Sequence, residues 1–232
     1  MRFNRSGGAL LAVALALGSF NVSVAAENPK AVDLIFESKH LDKLSQGNEI
    51  VYKFERKPTD PKVLGVGFKD DITLKVAADK EGGQKDLELQ IYTGDRARDL
   101  QKLDRFSINP VFAVFFSQAV STFGQLAGGQ VNYLQRAFSD GWLKAKVEPI
   151  KVTYNGKEIS AHSISMTPFV GDKNETKMQG WEGAKYNVIV SDEVPGEIVD
   201  LLATYHNRYP PAQLKLSERI TLDGVTGLEG AP

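Results

Sequence analysis

The chain has 232 residues, and its 28 basic and 29 acidic side chains give a formal net charge of −1 at pH 7. This near-neutral balance argues against nucleic-acid binding, which requires clustered Lys and Arg. The sequence has no cysteine, which excludes disulfides, thiolate metal sites and a cysteine nucleophile. The fold must therefore be held together by the burial of apolar surface.

The first 26 residues predict export from the cytoplasm. Arg2 and Arg5 precede an apolar run over 9–20, and Val24-Ala25-Ala26 supplies the small residues at which a signal peptidase cuts. This run is shorter than the ~18–20 apolar residues of a membrane-spanning helix, and no other segment approaches that length. We therefore expect a cleavable signal peptide over 1–26 and a periplasmic location. The mature chain, 27–232, is expected to form a single α+β domain without a transmembrane segment.

The block from Leu34 to Thr93 predicts an antiparallel meander. Three segments in it alternate apolar and polar residues, as half-buried strands do. Their apolar positions are Ile50, Tyr52 and Phe54, then Ile72, Leu74 and Val76, then Leu87, Leu89 and Ile91. Strands with one wet face and one dry face are typical of antiparallel sheets.

The middle block predicts two helices. Asn109-Pro110 is a helix start and Gly128-Gly129 a helix stop, and apolar side chains recur every three or four residues between them. A second, shorter helix is expected over 131–139, ending at Asp140-Gly141.

Strands return in the last block. Asn155-Gly156 joins strands over 148–154 and 157–166 as a hairpin, since these two residues accept the positive φ angles of a type I′ turn. Further strands are expected over 186–190, 198–205 and 214–222, with a loose tail after Gly224.

Strands, then helices, then strands indicate an α+β fold rather than alternating βα units. About eight or nine strands with so few helices must curl to hide their edges. We therefore expect a strongly curved antiparallel sheet or partial β-barrel, with the Phe-rich helix packed in its concave side.

The first helix is unusual because residues 108–135 contain no charged side chain. A surface helix ordinarily carries Lys and Glu on its wet face, so this one is expected to be covered on most sides. Three interpretations remain open. The helix is a solid core element, or it borders a Phe-lined gap that takes an acyl chain or another apolar molecule, or it faces a membrane or a partner.

The second interpretation names candidate ligand-binding residues. Those for the apolar part of a ligand are Phe112, Phe115, Phe116, Phe123, Leu126 and Tyr133. Arg96 and Arg98, in the polar cluster 94–99, are candidates for holding an anionic head group. The alternative for that cluster is a solvent-facing charge network.

No catalytic motif is present. His40, His162 and His206 lack the close spacing of zinc ligands, and we expect His40 to be a surface cap and His162 a core or interface residue. No G-x-S-x-G elbow occurs. The adjacent carboxylates Asp70-Asp71 and Asp192-Glu193 make poor acid/base pairs, because neighbours in a strand point to opposite faces. The sequence predicts no catalytic residue, no metal and no cofactor.

Several motifs occur in a recognisable order. They are G-x-x-I-x-Y-x-F over 47–54, Gly-Phe-x-Asp over 67–70, the Asn109-Pro110 helix, Gly-Gly-Gln-Val-Asn-Tyr over 128–133 and Thr-Pro-Phe over 167–169. With this order of motifs, the chain resembles a group of exported proteins of unknown function from Gram-negative bacteria. The expected architecture is also similar to that of periplasmic lipoprotein carriers of the LolA and LolB type. That analogy implies an apolar-ligand pocket and transfers no residue.

The leading hypothesis is a non-enzymatic periplasmic binding or carrier protein for an apolar or amphiphilic molecule of the cell envelope. Its expected partners are that small molecule and an envelope protein, and not nucleic acid. One alternative is a periplasmic scaffold or assembly factor with a solid core that acts through protein contacts. A hydrolase is the third.

Overall fold

A computed structural model describes residues 29–208 and 213–228, so the expected signal peptide over 1–26 lies outside the described residues. The strands are β1 (Glu49–Pro58), β2 (Phe68–Asp79), β3 (Lys85–Ile91), β4 (Gln101–Phe106), β5 (Lys146–Tyr154), β6 (Lys157–Met166), β7 (Lys185–Val190), β8 (Ile198–Asn207), β9 (Gln213–Leu222) and β10 (Val225–Thr226). The helices are α1 (Pro61–Leu64), α2 (Val111–Ala127) and α3 (Val131–Leu143), with a π-helical turn (Asp33–Glu37) and short 3-10 turns (Glu81–Gly83, Gly94–Arg96, Glu175–Lys177). Within the described residues, no helix combines the length and the apolar content needed to span a bilayer.

The fold is α+β, built on one open antiparallel sheet. Its ten strands lie in the order β10-β5-β6-β7-β8-β9-β1-β2-β3-β4. The sheet consists of two meanders that join where β9 pairs with β1, with Tyr52 opposite Leu222. The expected eight or nine strands did not include β4 or β10, which form the two edges.

The turn between β9 and β10 shows that the sheet bends. The N–H of Asp223 donates to the carbonyl of Val51 on β1 (3.0 Å), and the carbonyl of Gly224 accepts from the N–H of Asn155 after β5 (2.9 Å). Four strands separate β1 from β5 in the sheet, which would place them about 24 Å apart if the sheet were flat. Two consecutive residues cannot bridge that distance, so the strands must curve back toward each other.

The chain after Gly224 contributes to the sheet. Val225 and Thr226 pair with Tyr154 and Thr153 of β5. The expected loose tail is therefore wrong for these two residues, because their partners come from a hairpin some seventy positions earlier in the chain. The hairpin itself is confirmed, with positive φ angles at Asn155 (48°) and Gly156 (74°).

Asn109 fixes the start of α2. Its Oδ1 accepts a hydrogen bond from the N–H of Val111 (3.1 Å), and this satisfies one of the free donors at the helix start. Its Nδ2 donates to the hydroxyl of Tyr52 and to the carbonyl of Gly196, both at 2.8 Å. The residue that begins the helix thus also ties it to β1.

The second helix is longer than expected and continues through Gly141 to Leu143. A Cβ on Gly141 would lie 2.6 Å from Sδ of Met166 and 2.9 Å from Cβ of Pro168. This glycine allows α3 to pack closely against the end of β6. The expected helix end at Asp140-Gly141 is wrong, because a glycine that permits a close approach looks the same in sequence as one that stops a helix.

Candidate functional site

The helices α2 and α3 form an antiparallel pair with a groove between them. A Cβ on Gly124 of α2 would lie 3.3 Å from the side chain of Leu134 on α3, so the helices approach closely near their connection. A cavity of about 920 Å³ lies along the pair, and its lining reaches from Leu134 near the connection to Phe116 and Trp142 farther along the helices. We call this cavity the helix groove.

The floor of the helix groove is aromatic. The ring of Phe116 lies 5.3 Å from Trp142, 5.9 Å from Phe138 and 5.8 Å from Phe36, measured between centroids. These separations are typical of favourable aromatic pairs. Phe36 comes from the π-helical turn before β1 and is 41% exposed, whereas Trp142 is buried. The groove thus has an apolar floor that reaches from the core to the surface.

The rim of the helix groove is polar but neutral. Ser117, Ser121 and Gln125 of α2 and Gln135 and Ser139 of α3 line it, and all five are exposed. None of the residues that line the groove carries a charge. The expectation that α2 is covered on most sides is therefore wrong for this face, which is open and still lacks the ions of an ordinary surface helix.

The opposite side of α2 packs against the sheet. Phe112, Phe115 and Phe123 are buried there, and Phe123 stacks on Phe169 with a centroid distance of 3.8 Å. The hydroxyl of Tyr205 on β8 donates to the carbonyl of Ala119 (3.4 Å). This side of the helix is part of the hydrophobic core.

A buried carboxylate lies at the interface between α2 and the sheet. Glu218 of β9 is 2% exposed and forms an ion pair with Arg56 of β1. It also accepts hydrogen bonds from the hydroxyl of Thr122 (2.9 Å) and from Nε2 of Gln118 (3.2 Å) on α2. A buried carboxylate is stable only when it is paired and hydrogen-bonded. The neutral polar residues on this side of α2 supply those donors.

The structure separates the apolar candidates named from sequence. Phe116 lines the helix groove, whereas Phe112, Phe115 and Phe123 lie in the core against the sheet. Leu126 is partly buried and packs on the edge of that core. Helical spacing alone did not distinguish the two sides, because both carry Phe.

Arg96 and Arg98 lie at the turn between β3 and β4, and neither lines the helix groove. Nε of Arg96 donates to Oδ2 of Asp70 at 2.8 Å, and its guanidinium lies 5.1 Å from the ring centroid of Phe68. Arg98 lies 5.5 Å from the ring of Tyr92. Burial alone would raise the pKa of Asp70, but hydrogen bonds from Arg96 and the adjacent turn outweigh it and lower the pKa to about 2. This arrangement has the form of a charge network that stabilises the turn.

A second large cavity, of about 810 Å³, lies along the other flank of α3. We call it the cationic cleft. Its charged lining residues are Arg136, Lys144, Lys146, Lys173 and Lys185, with the carboxylates Asp140 and Asp172. Tyr133, the remaining candidate from sequence, lies at its edge and donates a hydrogen bond to Asp172. The sequence analysis missed this charged flank, although the four-residue spacing of Arg136, Asp140 and Lys144 is a signal that could have indicated it.

The helix groove and the cationic cleft both reach the region around the start of α3. A smaller cavity of about 460 Å³ lies there. It shares Gly129 and Leu134 with the helix groove, and Tyr133 with the cationic cleft. The three cavities therefore adjoin one another.

The histidines show no catalytic arrangement in the described ranges. His40 is 1% exposed; its Nε2 donates to the carbonyl of Leu34 (2.8 Å), and its Nδ1 accepts from the N–H of Asn109 (3.3 Å). Burial lowers the pKa of His40, which keeps the ring neutral at pH 7. The expected surface cap is thus wrong. Over 29–208 and 213–228, no three His, Asp or Glu side chains are grouped to hold a metal ion.

Comparison with known proteins gives little guidance. No family model matches the chain, and no curated protein matches it. Among solved structures, it is similar to the Mycobacterium tuberculosis lipoprotein LppX, with a TM-score of 0.30 and 10% identity over 79% of this chain and 89% of that chain. A similarity at this level does not establish a shared fold or function. The resemblance to exported proteins of Gram-negative bacteria stays a prediction.

Proposed function

We propose that the protein is a non-enzymatic binding or carrier protein for an apolar or amphiphilic molecule of the cell envelope, and that the helix groove holds the apolar part of this ligand. The observation that supports the proposal is the uncharged lining of the groove, with its aromatic floor and neutral rim. Ligand sites typically have volumes of about 300–1,000 Å³ and are mostly apolar with a few polar groups. The helix groove fits this description.

In this proposal the concave side of the bent sheet holds α2, and the buried side of the helix is its support. Phe112, Phe115, Phe123 and Leu126 position the helix and do not contact the ligand. Phe116 contacts the apolar chain. This separation of core-facing and groove-facing side chains on α2 suits a carrier. The rigidly packed core side keeps the groove open while the ligand enters and leaves.

Trp142 gives additional support. Its indole lines the helix groove, yet its buried Nε1–H has no hydrogen-bond partner in the described part of the chain. A buried donor left unpaired costs about 1–3 kcal/mol. The floor of the groove is therefore not optimised for stability alone, as is common at functional sites.

The proposed location is the periplasm. It rests on the N-terminal sequence, in which basic residues, an apolar run and Val24-Ala25-Ala26 follow in the order of a signal peptide. Envelope lipids are the amphiphiles available to a protein exported in this way.

The test uses Trp142 as a reporter. In a Trp181→Phe background Trp142 is the only tryptophan, so a bromo-alkanol that enters the helix groove should quench its fluorescence saturably. Ser121→Asp places a charge on the groove rim and should weaken binding about tenfold or more, because the carboxylate loses solvation beside the alkyl chain. Ser121 is exposed, so this substitution should change the free energy of unfolding by less than about 0.5 kcal/mol.

The matched control is Asn132→Asp. Asn132 is exposed on α3 but does not line the helix groove, so this variant should bind the bromo-alkanol as the parent does. Absence of saturable quenching in the folded parent would refute the proposal. Equal affinities of the Ser121→Asp and Asn132→Asp variants would refute the assignment to the helix groove.

A further inference from the structure

The cationic cleft concentrates positive charge in a chain whose formal net charge is −1. Two of its charged residues already have partners. Lys146 pairs with Glu148 (2.7 Å), and Asp172 accepts hydrogen bonds from the hydroxyl of Tyr133 and from the N–H of Asn174. Because both of its donors are neutral, Asp172 keeps its negative charge, so the remaining charges are four cations and the carboxylates of Asp140 and Asp172. The cleft thus keeps an excess of positive charge that basic composition does not explain.

The four cations are free of carboxylate partners. Arg136, Lys144, Lys173 and Lys185 lie beyond ion-pair distance of every carboxylate in the described ranges. They come from α3 and the residue that follows it, from the loop after β6 and from β7, so the fold rather than a local run of sequence brings them together. Unpaired cations that converge on one cleft repel each other, and a bound anion relieves that repulsion.

Another charged cavity in the molecule shows the contrast. It has a volume of about 430 Å³ and lies over β1 and β2. There Lys53 pairs with Asp71, Lys69 with Glu55, Arg96 with Asp70 and Arg219 with Asp200, at 2.7–3.1 Å. That cavity has no spare positive charge for an anion, whereas the cationic cleft does.

The cleft also adjoins the site proposed for an apolar chain. Tyr133 lies at the boundary between the cleft and the small cavity at the start of α3, and Gly129 and Leu134 connect that cavity to the helix groove. A single elongated molecule can therefore lie around the start of α3, with an apolar end in the groove and an anionic end in the cleft.

We infer that the ligand is an anionic amphiphile whose phosphate-like head group binds in the cationic cleft while its alkyl chain occupies the helix groove. This inference rests on the proposed function and specifies its ligand class. Arg136 offers a planar fork of donors that matches phosphate oxygens, and the three lysines supply compact charges around it. Asp140 and Asp172 are the opposing charges in the cleft, and the four unpaired cations outnumber them.

The experiment compares two probes in the Trp181→Phe background, a bromo-alkyl phosphate and the bromo-alkanol of the same chain length. With both probes, quenching of Trp142 fluorescence reports that the brominated alkyl chain lies in the helix groove. At low salt the phosphate should bind about tenfold or more tightly than the alcohol. The triple variant Arg136→Gln, Lys144→Gln, Lys173→Gln should abolish this preference and leave the affinity for the alcohol unchanged.

The control variant, Lys57→Gln, Lys75→Gln, Lys157→Gln, removes the same number of charges. These lysines are exposed and line none of the cavities described above. The control should keep the full preference for the phosphate probe. Loss of the preference in the control as well would assign it to overall charge and overturn the inference.

Further outcomes separate the two proposals. If neither probe quenches Trp142, the proposed function fails. If the alcohol binds and the phosphate probe binds no better, the proposed function stands and the inference fails. Inorganic phosphate at millimolar concentration should weaken binding of the phosphate probe and not of the alcohol. If inorganic phosphate binds the cleft as tightly as the phosphate probe does, the cleft is a site for a free anion. The inference that the ligand is an anionic amphiphile is then refuted.

Discussion

The two sides of α2 both lack charged residues, but one side is buried against the sheet and the other is exposed in the helix groove. On the sheet side Phe123 is fully buried and Thr122 donates to the carboxylate of Glu218. On the groove side Ser121 is exposed and Phe116 forms the floor of an open cavity. A missing charge therefore has two physical meanings. It permits burial on one side and keeps an exposed surface uncharged on the other.

The comparison also separates stability from proposed binding. Side chains on the sheet side contact the core from every direction, so truncating them leaves cavities. Side chains on the rim of the helix groove contact few neighbours, so changing them should alter ligand affinity and not folding. The following predictions test this separation.

The largest effect is expected for Phe123→Ala. This variant leaves a cavity beside Phe169 in a closely packed part of the core and should lower the free energy of unfolding by about 3–5 kcal/mol. Urea denaturation followed by circular dichroism measures the change. Phe116→Ala is the matched control and should cost clearly less, because its ring is only partly buried. Equal losses would contradict the difference between the two sides of α2.

A somewhat smaller effect is expected for Arg56→Met, which removes the cation that pairs with buried Glu218. The carboxylate then keeps only neutral donors such as Thr122, and the free energy of unfolding should fall by about 3 kcal/mol. Adding Glu218→Gln should restore part of the loss, since the amide carries no charge to desolvate. A change below about 1 kcal/mol for Arg56→Met would show that the ion pair does not support α2.

The smallest effect concerns pH. The pKa of Asp70 is lowered to about 2 from its ordinary value of 3.8, so the folded state binds this proton less readily than the unfolded state. The resulting stabilisation is present above about pH 4 and is lost as the pH falls toward 2, amounting to about 1–2 kcal/mol. Urea midpoints measured across this range should show the loss, and Arg96→Gln should reduce it.

The helix groove has no titratable lining residue, so binding of the bromo-alkanol should not change between neutral and mildly acidic pH. A pH-dependent affinity there would contradict the neutral lining.

Much of the fold could be predicted because its signals are local. Alternation identified the long strands, and Asn155-Gly156 identified the hairpin between β5 and β6. β4 was missed because it is an exposed edge strand without an apolar face. β10 was missed because two residues are too few to show a pattern. Gly141 was misinterpreted because the atoms that require it belong to a different part of the chain.

The candidate site was predicted only in part. The uncharged stretch over 108–135 directed attention to α2, and two of the candidate residues, Phe116 and Tyr133, line the cavities described above. The sequence could not show that Phe36 completes the aromatic floor, or that Lys173 and Lys185 join Arg136 in one cleft. Those residues are far apart in the chain, and no periodicity connects them.

The sequence by itself determined the long strands and the two main helices, where α2 begins, and that this helix carries no ions. These properties depend on neighbouring residues, whose spacing and backbone preferences are visible in the chain. Only the tertiary structure decided which side of α2 meets the sheet, how the sheet bends, and where the unpaired cations gather. Each of these depends on contacts between residues distant in sequence, which burial and packing select and which a local pattern does not record.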